Sequence, residues 1–215
     1  MKCVIVYDND EGKGLKNGWG FSVYIEANEK KILFDTGDNG EALLNNLKKL
    51  SIDPKKIGII FISHGHGDHT NGLQVALQET KMPKLYIPAS ASMLESMAKG
   101  KAEVIKISEP VEISKGIWST GELRGIEQSL VVKTDKGNVV ICGCSHPGLE
   151  NIIESAKKFG KVYGVIGGFH GFSELEALNN IKLIAPCHCT VKKKEILEKF
   201  PKTAEECRTG SIFEI

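Results

Sequence analysis

Between Ile59 and Gly72 the chain reads Ile-Ile-Phe-Ile-Ser-His-Gly-His-Gly-Asp-His-Thr-Asn-Gly, and no other stretch constrains the fold as strongly. Its apolar opening reads as a buried strand. Three imidazoles and a carboxylate follow at once: His64, His66, Asp68 and His69, four candidate ligands in six residues. Burying such a cluster unpaired is costly, and a divalent metal is the simplest compensation, since neutral imidazole and carboxylate are ordinary ligands of zinc, manganese and iron. Gly65 and Gly67 are expected to let the backbone turn tightly enough to aim alternate side chains at one centre.

The other histidines repeat the arrangement. Three apolar runs in the second half, ending near Cys142, Ile166 and Ala185, each lead into a loop: Gly143-Cys144-Ser145-His146-Pro147-Gly148, Gly167-Gly168-Phe169-His170-Gly171 and Pro186-Cys187-His188-Cys189-Thr190. Helical periodicity follows each loop, at Leu149–Phe159, Glu174–Asn179 and Val191–Phe200. All six histidines therefore fall in strand-end loops and none on a helix face, which argues for one shared crevice.

Upstream, Cys3–Tyr7 reads as a first strand, Gly12–Gly20 as a glycine-rich loop, and Gly20–Glu26 with Lys31–Asp35 as a hairpin. Glu41–Leu50 has an apolar stripe at Leu43, Leu44, Leu47 and Leu50, and Ser92–Lys99 is a helix with Met93, Leu94 and Met97 inward. Ser211–Ile215 closes a sheet edge.

At 215 residues the chain is expected to be one unit over residues 1–215, built of two half-domains of about 1–125 and 126–215. A formal charge of +1 supplies no global field to steer nucleic acid or an acidic membrane, so a small molecule is the expected partner. Nothing reads as a signal peptide or a membrane span, and a cytoplasmic location with reduced thiols follows as the expectation. The pairs Cys142/Cys144 and Cys187/Cys189 read as small buried side chains beside the site.

The His-x-His-x-Asp-His pattern after an apolar strand, with Phe34-Asp35-Thr36-Gly37 upstream and the three later His loops, resembles the metallo-β-lactamase fold superfamily of metal-dependent hydrolases. The downstream motifs are similar to the branch that includes dihydropterin-phosphate synthases of methanopterin formation. The resemblance implies an α/β fold, a four-layer αββα sandwich, and two divalent ions, zinc first with manganese or iron as alternatives. It implies that one ion takes His64, His66 and His146 and the other Asp68, His69 and His188. Asp35 supports the site from behind by holding a ligand imidazole or its loop. Asp68 and His170 are the residues expected to take part in the chemistry, His170 by contacting substrate or protonating a leaving group. The sequence departs from many dinuclear members, which carry a bridging aspartate where this chain has Cys142–His146.

A hydrolase using a metal-bound hydroxide on a small anionic substrate, a phosphoester or cyclic phosphodiester, is the leading expectation. Lys192, Lys193 and Lys194, after His188, are candidate donors for such an anion. A dihydropterin-phosphate synthase-like transferase and a non-catalytic metal-binding protein are the alternatives. The sequence leaves the oligomeric state open.

Overall fold

The structure, a computed structural model, describes residues Met1–Ile215. In chain order its first part runs β1 (Lys2–Tyr7), β2 (Ser22–Ala27), β3 (Lys30–Phe34), α1 (Gly40–Lys49), β4 (Ile59–Phe61), the short α2 (Gly67–Thr70), α3 (Leu73–Glu79), β5 (Lys84–Pro88), α4 (Glu95–Ala98) and β6 (Glu103–Ile107). Then follow β7 (Val111–Ser114), β8 (Ile117–Ser119), β9 (Leu130–Thr134), β10 (Gly137–Cys142), α5 (Leu149–Lys157), β11 (Val162–Gly168), β12 (Leu183–Cys187), α6 (Lys193–Lys199) and β13 (Ile212–Glu214).

The strands form two mixed sheets, a seven-stranded one in the order β13-β1-β2-β3-β4-β5-β6 and a six-stranded one in the order β12-β11-β10-β9-β8-β7. Strand periodicity of two divides the apolar residues between layers. In β1, Cys3 and Ile5 face the opposite sheet, while Val4 and Val6 face outward beneath Leu43 and Leu47 of α1. In the second sheet Val132, Val139 and Ile141 join the inter-sheet core, and Val131 and Val140 pack outward with Leu149, Ile152 and Ile153 of α5. Helices outside, sheets inside: this is the four-layer αββα sandwich that the sequence led us to expect. The change of sheet comes between β6 and β7, ahead of residue 125, and β13 returns to the first sheet as its edge.

Parallel pairing brings the histidine-bearing loops together. The strand β4 lies between β3 and β5, with Phe34 opposite Phe61 and Phe61 opposite Tyr86. In the other sheet Cys142 pairs with Gly167 and Gly168 with Cys187, so β10, β11 and β12 end level. Loops leaving level parallel strands open into one crevice.

Four local expectations are corrected. His69 lies in a helix after all, because the residues following His66 wind into the single turn α2, buried on its His69–Thr70 side. Met93 is 63% exposed: a 3-10 segment Ala89–Leu94, kinked at Ala91, replaces the first turns of the expected helix and rotates Met93 outward while Leu94 stays buried. The helix expected over 174–179 is a 3-10 turn, Leu175–Leu178. The thiols are not all reduced: Cys187 is joined to Cys207, with Cα atoms 5.2 Å apart. Sequence spacing paired Cys187 with its near neighbour, but Thr203–Glu205 runs back beside β12, where Ile184 N–H donates to Thr203 O and Glu205 N–H donates to Ile184 O. That return delivers Cys207.

Candidate metal centre

Four of the imidazoles are aimed by a partner behind them. His64, 1% exposed, has Nδ1 2.9 Å from the Ser63 hydroxyl, whose own proton goes to Asp35 Oδ2 at 2.6 Å. His69, fully buried, holds Nδ1 2.7 Å from Asp35 Oδ2. His146 Nδ1 lies 3.0 Å from Glu127 Oε2, and His188 Nδ1 2.9 Å from Asn9 Oδ1. Toward a ring nitrogen a carboxylate or amide oxygen can only accept, and the Ser63 hydroxyl, having given its proton to Asp35, accepts one from His64. Each of the four rings therefore carries its proton on Nδ1 and presents a bare Nε2 to the crevice, the arrangement of metal-ligating imidazoles.

Those bare nitrogens converge. His188 Nε2 and His69 Nε2 lie 3.2 and 3.7 Å from Asp68 Oδ2, and His64 Nε2 lies 3.1 Å from His66 Nδ1. The His146 ring is 4.6 Å from that of His64 and 4.9 Å from that of His66. Two groups of donors result, one of Asp68, His69, His188 and Cys144, the other of His64, His146 and Cys144. His188 Nε2 is buried with no hydrogen-bond partner, because its neighbour Asp68 Oδ2 is itself an acceptor. A buried imidazole nitrogen left bare beside a carboxylate is costly to keep unpaired. The donor set fits a divalent ion of the zinc type.

Close approach of the two sheets at this end demands glycine, though not where the sequence suggested. A Cβ on Gly143 would sit 2.2 Å from Ser63 Oγ, and one on Gly20 2.6 Å from the Asp68 carbonyl oxygen. By contrast Gly65 would meet only an ordinary contact with Ala91, and Gly67 only the amide end of Asn71. Backbone strain is concentrated here: Asp35, Ser145, His170 and His188 all have left-handed φ between 45° and 62°.

The electrostatics favour ligand-ready side chains. Burial, then the neighbouring His69, depresses His64 to about 3, and burial, then His188, depresses His69 to about 3. Burial also pushes Asp35 up to about 7 against the pull of His64 and Ser63. For Glu127, the His146 hydrogen bond and the His64 charge outweigh burial and lower it to about 2. Asp68 is likewise held low, by His188 and His69, against the opposing effect of burial.

In metal-free protein these shifts give a pH dependence with a definite sign. Between about pH 5 and 6.5 unfolding lets His64 and His69 take up protons, since an ordinary imidazole titrates near 6.5, while Asp35 gives one up and His146, held above the ordinary imidazole range by its hydrogen bond to Glu127, gives up part of one. The unfolded state binds more protons, so stability falls on acidification, by about 1 kcal/mol over this window. Chemical denaturation with a chelator present at both pH values checks this; stability that rises toward pH 5 would count against it.

The family model described as the Metallo-beta-lactamase superfamily matches residues 18–153, well over half of the chain. The chain belongs to this superfamily. Within it, the 7,8-dihydropterin-6-methyl-4-(beta-D-ribofuranosyl)-aminobenzene-5'-phosphate synthase of Methanocaldococcus jannaschii is 29% identical over 262 residues, covering 92% of this chain and 89% of that protein. An uncharacterised protein of the same organism is 31% identical over 86% of this chain and 89% of its own length. Among solved structures, Tm1679, described as a metal-dependent hydrolase of the beta-lactamase superfamily, superposes with a TM-score of 0.84 at 27% identity, covering 100% of this chain and 99% of that one.

As a metallo-beta-lactamase superfamily member the chain carries several positioning residues that sequence reasoning missed. Glu127 is fully buried and accepts the backbone N–H groups of Gly143, Cys144 and Ser145 on Oε1 and of His146 on Oε2. Asp8 Oδ2 accepts the His188 N–H at 2.8 Å, and the Asn9 amide donates to His188 O. Glu127 sits in a stretch with no strand or helix period, and Asp8-Asn9 reads as ordinary turn chemistry, so nothing in either segment separates a support from a loop residue. Five of the six expected donors fall in the two groups, with Asp35 behind His69; His66 is exposed and joins neither group, its Nδ1 lying 3.1 Å from His64 Nε2. His170 stands apart: it is exposed, its ring is 5.1 Å from that of His146, and it lines an open cleft of about 430 Å³ with Arg124, Ser145 and His146. The lysine triplet does not reach this cleft; Lys192, Lys193 and Lys194 pair with Glu195, Asp10 and Glu198.

Proposed function

We propose that the protein is a metal-dependent hydrolase of a small anionic substrate, a phosphoester or cyclic phosphodiester, with His64, His66 and His146 holding one ion and Asp68, His69 and His188 the other. The observation that carries the reading is the gathering of bare, individually oriented imidazole nitrogens in two donor groups, one around Asp68 and one that includes His146, which lines an open cleft. When bound, divalent ions there, zinc above all, supply Lewis acidity and an acidified water. The chain's own residues do the rest. Asp68 joins His69 and His188 in one donor group and orients an attacking water through its other oxygen. Arg124, one of only two arginines in the chain, lines the cleft with His146 and His170 and suits a phosphoryl anion, for which a guanidinium offers paired donors. His170, exposed across the cleft, contacts the substrate and gives a proton to the leaving oxygen.

Turnover of bis(p-nitrophenyl) phosphate by protein reconstituted with zinc or manganese tests this. His170→Ala is expected to lower kcat about 10²-fold with metal content unchanged. Arg124→Ala is expected to raise KM about 10-fold with kcat nearly intact. No turnover by fully loaded protein on any phosphoester would remove the hydrolase reading, and metal bound without activity would favour a binding module.

A second reading has its own observation. Trp19 is 62% exposed, and its ring lies 5.0 Å from that of His188, offering a flat apolar surface at the rim. Such a surface suits a planar heterocycle, and the Methanocaldococcus relative is a dihydropterin-linked synthase. Transferase chemistry on a pterin predicts that Trp19→Ala raises KM for the pterin severalfold while leaving turnover of a simple aryl phosphoester untouched.

A further inference from the structure

We propose that Cys144 supplies a thiolate ligand shared by both metal positions. The proposal rests on the reading of this cleft as a two-ion centre and adds a seventh ligand to it. Cys144 is the one side chain present in both donor groups. Its Sγ lies 3.2 Å from His69 Nε2 and its side chain is buried, with the residue 4% exposed. Tetrahedral zinc with ordinary bond lengths separates neighbouring nitrogen, oxygen and sulfur donors by roughly 3.3–3.6 Å. The Cys144–His69, His188–Asp68 and His69–Asp68 spacings of 3.2, 3.2 and 3.7 Å lie close to that range, and all four donor atoms lie within 4.8 Å of one another.

The backbone holds the sulfur in place. Glu127 Oε1 accepts the Cys144 N–H at 3.0 Å, and the flanking Gly143 lies tight against Ser63. The other cysteines nearby are engaged elsewhere. Cys142 is part of the apolar core beneath α5, with its thiol directed at the Ile166 and Gly168 carbonyl oxygens. The Cys189 thiol points to the Cys144 carbonyl oxygen and belongs to neither donor group. In the metal-free chain the Cys144 S–H donates to the bare His69 nitrogen; on ligation the S–H bond breaks, the proton leaves to solvent, and both sulfur and nitrogen lone pairs turn to the ion.

Imidazole gives one nitrogen to one metal, whereas a thiolate sulfur has lone pairs for two. A shared soft ligand also sets the metal preference, toward zinc and cobalt and away from manganese. The test uses the full chain, stripped and then titrated with cobalt(II). The expected result is a near-ultraviolet thiolate-to-cobalt band that grows through both the first and the second equivalent in wild type and in Cys189→Ser, and is missing from Cys144→Ser while its visible ligand-field bands persist. A band that survives in Cys144→Ser, or stops growing after one equivalent, overturns the shared ligand alone. Absence of any cobalt binding overturns the two-ion reading itself. Because Cys144→Ser removes a buried group and can misfold, zinc-edge X-ray absorption of zinc-loaded wild type and Cys189→Ser provides an independent check. A sulfur neighbour at roughly 2.3 Å in both supports the proposal, and a shell of nitrogen and oxygen alone overturns it.

Discussion

Glu127→Ala is expected to remove about 3–5 kcal/mol of stability, the penalty for stripping a buried charge from its partners. Its two oxygens accept four backbone N–H groups from Gly143 to His146 and the His146 imidazole N–H, all at 2.9–3.0 Å. Alanine leaves these donors buried and unsatisfied, and the loop carrying Cys144 and His146 loses its mould. Glu127→Gln is close in shape but turns an NH2 toward donors on one side, so an intermediate loss is expected. Urea denaturation in chelator measures the folding effect. An alanine variant with an unchanged midpoint would mean that the loop holds its shape through β10 and α5 alone.

The second large effect is on turnover. Asp68→Asn keeps the shape of the side chain but withdraws the charge that faces His69 and His188. Activity is expected to fall at least about 10²-fold, and bound metal to fall from about two ions per chain toward one. Because Asp68 is partly exposed, the metal-free midpoint should shift far less than in Glu127→Ala. Metal analysis beside steady-state kinetics separates the effects. Full metal content with full activity would show that Asp68 is a bystander.

Much of this architecture was legible because the signals are local. A run such as Ile59–Ile62 before His64 announces a buried strand with a polar mouth, and Val139–Cys142, Val162–Ile166 and Leu183–Ala185 do the same for the second sheet. The donors were visible because their residue types are unusual at strand ends. What escaped was everything that depends on distant segments meeting. Glu127 acts on a loop sixteen to nineteen residues away, Asn9 on His188 across 179, and Cys207 reaches Cys187 only because the chain doubles back along β12. The glycines mislead for the same reason. Gly65 and Gly67 look indispensable beside the histidines, but Gly143 and Gly20 are the ones pressed against other parts of the molecule.

The donors are also divided between the sheets. His64, His66, Asp68 and His69 follow β4 in the first sheet, whereas Cys144, His146 and His188 follow β10 and β12 in the second. Ions gripped by both sets work as rivets through one rim of the sandwich, a cross-link that the inter-sheet apolar core, non-directional by nature, does not duplicate. Loading the centre should therefore slow amide exchange not only in the ligand loops but at the ends of β4 and β10 that lead into them, so that the two sheets melt as one body; with the rivets drawn, the rim is where the sheets first part.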